Sequence, residues 1–397
     1  MLIVVLSLVG LVMLFSASYS YAYYYEGGDS FYFIRRQTMF AIVGFVIMLV
    51  IANIPYQIYH KFATIGLINA LVLLVLVLFI GQTINNAKRW LGVGDIFTFQ
   101  PSEVAKVAMV VAFSSYVDRL GSRMKTLSYG IAPFLGVLGM IAALLMKQPH
   151  LSATIIIVLT GIAILFLGGA HLGKLTILIL IGGAAVYWIV FGMGYSIERI
   201  VVWMLHGLNL EEATILKFVN NPALIESVDA YQSLQSFYAV GSGGLWGLGL
   251  GQSRQKHLFL PEPSNDFIFA ILCEELGFVG AMVVILLFAA FIVRGYYIAI
   301  RARDKFGSLI VGGIITMLAL QIFINISVVC GLLPVTGASL PFFSYGGTSL
   351  IILYAQMGLV LAVSKQILAP ESVRREQDKK QRERSEEFSV ISRIGEE

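Results

Sequence analysis

The sequence predicts an all-α, polytopic membrane protein: ten transmembrane helices, both termini cytoplasmic, and one large extracytoplasmic loop between helices 7 and 8. Two observations carry this. The 397 residues are 58% hydrophobic and only 13% charged, with mean hydropathy +0.85, whereas a soluble domain is about a quarter charged. Apolar runs of about 20 residues also recur along the chain, each long enough to cross a roughly 30 Å hydrocarbon core. No strand alternation of the outer-membrane barrel kind is visible.

The spans fall at about 2–22, 37–54, 62–81, 102–118, 127–146, 151–168, 173–194, 267–293, 307–330 and 345–364. The first run begins at Leu2 without a basic n-region or a clear small-residue cleavage site, so it reads as a retained helix rather than a signal peptide. Residues 195–265 are the one long non-spanning segment and form the predicted outer loop. Residues 1–365 make one membrane domain. Residues 366–397 make a cytoplasmic polar tail, whose seven basic and eight acidic residues nearly cancel. Cys273 and Cys330 sit inside apolar runs and are expected to be buried thiols.

Orientation follows from Lys and Arg in the short loops and at span ends. With the N-terminus cytoplasmic, the inner side holds nine, including Lys61, Arg119, Arg123 and Arg301. The short outer loops hold five: Arg35, Arg36, Lys88, Arg89 and Lys147. Several function classes drop out. There is no Gly-x-x-x-x-Gly-Lys-Ser/Thr loop of an ATP-driven motor, no His-Glu-x-x-His and no Cys-x-x-Cys. The histidines are scattered, and no basic arm or module suggests nucleic-acid binding.

Four constellations could carry chemistry. Lys88-Arg89-Trp90 precedes Gln100-Pro101-Ser102-Glu103-Val-Ala-Lys106, where Pro101 and Ser102 open a helix and Ser102 or Gln100 is placed to cap it. Glu103 and Lys106, three apart, share a helix face about one turn into the membrane. They read either as a structural ion pair or as the polar floor of an outward-facing cavity. Lys88 and Arg89 suit a phosphate at the outer surface, or ordinary snorkelling to the head groups. Lys147-Gln148-Pro149-His150 is a tight outer turn whose His150 reads chiefly as a turn residue.

In the third constellation, Asp266 begins a helix behind Arg254 and Lys256, with Glu274 and Glu275 deeper in the apolar run. A carboxylate there is either a helix cap favoured by the dipole or a general base at the water boundary. Adjacent Glu274 and Glu275 point in different directions, so only one is expected to face the interior. The fourth, Pro334 to Ser349, is rich in Pro, Gly and hydroxyls. It reads as a re-entrant outer loop lining a cavity, because non-helical backbone at membrane depth needs protein or water to satisfy it.

At these constellations the chain resembles the SEDS family (shape, elongation, division and sporulation proteins, including FtsW, RodA and SpoVE) over roughly residues 1–365. The resemblance rests on Lys88-Arg-Trp-Leu, Phe99-Gln-Pro-Ser-Glu-Val-Ala-Lys106, Gln148-Pro149, Tyr231-Gln and Gly243-Gly244. It continues through Leu260-Pro-Glu-Pro with Asp266-Phe-Ile-Phe-Ala, Glu274-Glu-Leu-Gly, and Leu333-Pro-Val-Thr-Gly with Ser344-Tyr-Gly-Gly. Gly251-Gln-Ser-Arg-Gln-Lys256 looks more like the FtsW and SpoVE branch. The chain departs from the family pattern at His150, where Asp is usual, at Ser264-Asn265, where His-Thr is usual, and in the irregular stretch 205–228.

The resemblance implies a peptidoglycan glycosyltransferase of the bacterial cytoplasmic membrane, polymerising lipid II at the outer face in cell division or in related septal or spore wall synthesis. It implies Asp266 as the essential acid and Glu103 and Lys106 as a cavity pair. It also implies a class B penicillin-binding protein as partner, alongside other divisome or elongasome membrane proteins. The expected reaction is inverting. Asp266 acts as base, while Lys88, Arg89, Arg254, Lys256 and Ser344 contact substrate or the departing undecaprenyl pyrophosphate. A divalent cation, Mg or Mn, bridging pyrophosphate and a carboxylate is chemically reasonable. The rival readings are a lipid II flippase or other transporter, and a non-catalytic scaffold.

Overall fold

The computed structural model describes residues 1–84, 87–93, 97–170, 173, 197–208 and 228–368. The seventh expected span (173–194), most of the irregular 205–228 stretch and the tail from 369 lie outside the described residues. The helices are α1 (Leu2–Tyr25), α2 (Tyr32–Asn53), α3 (Gln57–Ile80), α4 (Pro101–Leu120), α5 (Ala132–Lys147), α6 (Leu151–Leu167), α7 (Ile197–Val202), α8 (Val228–Ser242), α9 (Ile268–Ile300), α10 (Lys305–Val329) and α11 (Gly347–Leu368). Among the described residues seven are long and apolar enough to cross a membrane: α1, α2, α3, α5 with the turn before it, α9, α10 and α11. The apolar α6 is shorter, and α4 carries the polar groups of the site.

A small sheet departs from the all-helical expectation. β1 (Gln82–Ile84), β2 (Ala87–Val93) and β3 (Phe97–Phe99) form an antiparallel sheet in that order. It connects α3 to α4 and pairs the backbone groups of a segment with no helical continuation.

Most helices are apolar all round, so packing rather than amphipathic pattern decides which face is inside. On α2 the buried residues Phe33, Gln37, Ala41, Gly44, Met48 and Ala52 recur every three or four positions, and the helix packs on α11. A Cβ at Gly44 would strike the Tyr354 ring, so the small residues admit close helix approach. On α3, Phe62, Ile65, Val72 and Phe79 point outward, as lipid-facing residues do. α10 is the central helix, buried on nearly every side and packed on α4, α6, α9 and α11.

Two stretches break helical regularity. α9 is 33 residues long with a kink at Gly277 (φ 66°, ψ −169°). The groups released there are taken by the loop after α8. Leu248 N donates to Glu274 O (3.0 Å), Gly249 N to Glu275 O (2.9 Å), Phe278 N to Gly244 O (2.9 Å) and Val279 N to Leu245 O (3.1 Å). The second is 331–346, between α10 and α11, which has no regular structure. Side chains of the helix wall satisfy its carbonyls instead. Asn325 Nδ2 donates to Ala338 O (2.6 Å), Gln321 Nε2 to Ser339 O (3.0 Å), Ser152 Oγ to Gly337 O (3.2 Å) and Gln37 Nε2 to Ser344 O (3.2 Å). The expectation of a cavity-lining loop supported by protein is met there.

The backbone at Gly277 lies in a region open only to glycine, where a side chain costs on the order of 1–3 kcal/mol, and a Cβ would also meet the Gly247 backbone. Gly277→Ala is expected to lower the melting temperature in detergent clearly. Gly66→Ala, with open space around it, is expected to leave it unchanged.

Candidate active site

One end of the bundle gathers the C-terminal ends of α1, α3, α5 and α10 and the N-terminal ends of α2, α4, α6, α9 and α11. At this end lies a cavity of about 420 Å³ lined by Arg36, Arg89, Glu103, Lys106, His150, Asp266, Gln321 and the 337–349 loop. Pro101 starts α4 at its first position, which fixes where the helix face begins. Glu103 and Lys106 then fall on the cavity side and form an ion pair (Nζ–Oε1 2.8 Å), with Gln321 Oε1 3.4 Å from the same ammonium. Lys106 is only 3% exposed, so the pair is the floor of the site.

Asp266 sits on the wall, just before α9. It is not the helix cap: α9 starts at Ile268, and its end carries no side-chain capping bond. The backbone of Asp266 is held instead, its carbonyl accepting from Asn325 Nδ2 (2.8 Å). Neighbouring Ser344 Oγ donates to Asn265 O (2.7 Å), and Tyr345 N donates to Ser264 O (2.8 Å). Gly337 (φ 75°) presses close to the carboxylate, for a Cβ there would lie 3.3 Å from Asp266 Oδ2. Among the described residues no side chain or backbone N–H donates to that carboxylate. Burial raises its pKa to about 6, with help from Glu262 and against Arg199 and Arg89. The competition between desolvation and cations is thus won by desolvation.

The other expected site residues divide. Successive strand side chains leave on opposite sides, and Lys88 and Arg89 part accordingly. Arg89 lines the cavity and clamps the 148–149 turn, donating to Gln148 O (3.0 Å) and Pro149 O. Lys88 instead donates to Phe79 O (2.7 Å), capping the last turn of α3. Ser344 lies in a side recess of about 30 Å³ that shares Glu103 and Gln321 with the main cavity. Arg254 is exposed and does not line the cavity.

Lys256 is not brought there either. It pairs with Glu275 (2.9 Å), with side chains 3% and 0% exposed, and Ser16 Oγ donates to the same carboxylate (2.6 Å). Glu274 and Glu275 are both buried, contrary to the expectation of one. Glu274 accepts from Arg254 N (3.0 Å), Gln255 N (3.3 Å) and Ser253 Oγ. The reason is tertiary: the loop after α8 folds over the Gly277 kink and encloses both carboxylates with partners.

Sequence reasoning underrated His150, which lies buried in the cavity wall with Gln100 Nε2 3.4 Å from its Nδ1. Burial, then Arg89 and Lys106, hold its pKa well below the usual imidazole value, so it is neutral near pH 7. Gln100 points to His150 rather than capping α4. Arg36 and Gln321 were not singled out as site residues, since no motif spacing links residues so far apart in the chain. Among the described residues, no three His, Cys, Asp or Glu side chains cluster as a metal site. Asp266 and Glu262 offer two carboxylates, enough to share a hard cation with a phosphate but not to cage one.

Fold and site define an integral membrane protein of packed apolar helices with a cation- and carboxylate-lined cavity at one end. The family model FTSW_RODA_SPOVE, described as "Cell cycle protein", matches residues 1–368. "Stage V sporulation protein E" of Bacillus subtilis (strain 168) is 39% identical over 359 residues, covering 90% of this chain and 93% of that one. "Probable peptidoglycan glycosyltransferase FtsW" of Geobacter sp. (strain M18) is 34% identical over 366 residues, covering 92% and 95%. Among solved structures, the rod shape determining protein RodA of Thermus thermophilus superposes with TM-score 0.63 at 24% identity, covering 93% of this chain and 96% of that one. A chain from "Structural coordination of polymerization and crosslinking by a peptidoglycan synthase complex" superposes with TM-score 0.65 at 24% identity, covering 91% and 98%. The chain belongs to the FtsW/RodA/SpoVE family and has a RodA-like fold.

Truncating one partner of a buried ion pair typically costs about 3–5 kcal/mol. Lys256→Ala is therefore expected to abolish or sharply reduce folded protein in detergent. Pairing it with Glu275→Gln should restore much of the yield, read by size-exclusion chromatography and thermal melting.

Proposed function

We propose that the protein is a peptidoglycan glycosyltransferase that polymerises lipid II at the outer face of the bacterial cytoplasmic membrane. The observation that carries the reading is the Asp266 carboxyl. It receives no hydrogen bond among the described residues, faces a polar cavity, and has a pKa of about 6. A base of that kind is ionised at neutral pH yet basic enough to accept a proton as a bond forms. The family membership and the names of the relatives support the same reaction class.

The 4-hydroxyl of the acceptor's terminal N-acetylglucosamine attacks C1 of the donor's N-acetylmuramic acid. The C1–O bond to undecaprenyl pyrophosphate breaks with inversion, and Asp266 takes the hydroxyl proton. Arg89 and Arg36, at the cavity mouth, stabilise the pyrophosphate as its charge grows. The Glu103–Lys106 pair and His150 shape the floor and wall, and Lys106 offers donors to substrate. Glu262 and Asp266 are the carboxylates that would hold a divalent cation, which would supply further positive charge for the departing pyrophosphate. Lys88, Arg254, Lys256 and Ser344 take supporting places rather than substrate contacts.

The proposed topology has ten spans with both termini inside. The cavity side carries the start of α9, while Lys305 of α10 bonds Gly168 O just after α6 at the other end (3.2 Å). The chain therefore leaves α6 at one end and enters α9 at the other, which supports the seventh span expected between them. A class B penicillin-binding protein is the proposed partner, as the complex named for the structural relative suggests.

The test is purified protein with that partner and lipid II. Asp266→Asn should abolish polymer formation, a loss of about 10²–10⁴-fold for a general base. The wild-type rate should fall about tenfold per pH unit below about pH 6 and plateau above about pH 7, since the base must be deprotonated. Normal polymer from Asp266→Asn removes Asp266 from the chemistry. Lipid II movement across liposomes without polymer would make the protein a transporter, and activity arising only from the partner would make it a scaffold.

A further inference from the structure

We infer that an aromatic wall leading outward from the cavity lip is a binding site for the glycan strand, a sugar polymer held by ring stacking and hydroxyl contacts. This rests on the glycosyltransferase reading. The stretch from Tyr19 to Phe33 is dense in aromatics, with Tyr19, Tyr21, Tyr23, Tyr24, Tyr25, Phe31, Tyr32 and Phe33 in 15 positions of the sequence. The turn between α1 and α2 places part of this set directly on the site. Tyr345, a cavity residue, meets the Phe33 ring edge-on at 4.8 Å. Phe33 meets Tyr21 at 6.0 Å, and Tyr21 meets Tyr25 at 4.5 Å. Tyr25 is 63% exposed. Tyr345 at the lip is thus linked to Tyr21 and the exposed Tyr25 through Phe33, which is buried (9% exposed) and backs the row rather than facing solvent.

The polar groups along this wall suit hydroxyls better than lipid. Tyr21 lies within electrostatic reach of Glu262, which lines the cavity. Arg36 donates to Tyr32 OH (2.5 Å), and its guanidinium stands 5.0 Å from the Tyr32 ring centre. The turn is braced rather than loose: Asp29 accepts from Phe31 N (3.1 Å) and pairs with Arg35 (2.7 Å). Aromatic residues at a membrane boundary commonly serve as an interfacial belt, and the outward-facing Tyr23 and Tyr24 fit that role. The Tyr345–Phe33–Tyr21–Tyr25 row differs in being continuous with the cavity. Tyr supplies an apolar face and a hydroxyl tip, the two features that a pyranose ring presents in return.

The experiment uses the full chain in nanodiscs, with its partner for turnover, and two probes: lipid II, and a soluble lipid-free oligosaccharide of the same disaccharide. Tyr21→Ala/Tyr25→Ala is expected to weaken oligosaccharide binding by roughly tenfold and to shorten the strands made from lipid II. Tyr21→Phe/Tyr25→Phe, which keeps the rings, should retain most of the binding and report on folding. Phe79→Ala, at an exposed aromatic away from the cavity lining, should leave both readouts unchanged. Wild-type binding and strand length in the Tyr→Ala pair would overturn the proposal and leave these tyrosines as a membrane belt. A wild type that polymerises lipid II but does not bind the oligosaccharide overturns this inference alone, and one that does neither overturns the glycosyltransferase reading as well.

Discussion

The constraint behind the rest of this structure is that backbone N–H and C=O groups at membrane depth must find partners within the protein. Helices meet it by themselves. Two non-helical stretches meet it by other means, and one of them lines the cavity. The 331–346 loop takes donors from Gln37, Ser152, Gln321 and Asn325 on α2, α6 and α10. The Gly277 kink is completed by the backbone of the loop after α8. These polar residues inside apolar helices support the loop backbone, and the loop in turn sets Gly337 against Asp266.

A second consequence is the division of the charged groups into two systems. Near the kink, Glu274 and Glu275 are fully enclosed, and the cost of burying them is offset by Lys256, Ser16, Ser253 and backbone N–H groups. At the cavity, Asp266 lacks a donor among the described residues, and desolvation, then Glu262, raises its proton affinity. Carboxylates are thus enclosed by donors in one place and, among the described residues, left without them in the other. What separates them is whether the fold provides hydrogen-bond donors. Arg89 holds the 148–149 turn while facing the cavity.

Much of this was legible in the sequence. Apolar run length located nine of the helices, with ends displaced by up to about two turns, and the i, i+3 spacing of Glu103 and Lys106 anticipated their shared face. The Pro- and Gly-rich composition of 334–349 announced a cavity-lining loop. The strands at 82–99 were not legible, because three short segments of mixed polarity give no periodic signal. Nor was the fate of Lys256 legible: it is adjacent in sequence to plausible anion binders, and only the wrapped loop turns it toward Glu275. His150 read as a turn residue because nothing local shows that Gln100 and Arg89 close around it.

The sequence by itself determined the membrane class, the order of helices and the segments able to carry polar chemistry, because hydrophobic length and backbone satisfaction are local properties. Tertiary structure decided which charges face the cavity, which are neutralised by partners, and why Asp266 holds its proton more tightly than a solvated carboxyl. Those outcomes depend on desolvation and on neighbours tens to hundreds of residues away, such as Ser16 beside Glu275 and the Arg89 charge acting on Asp266.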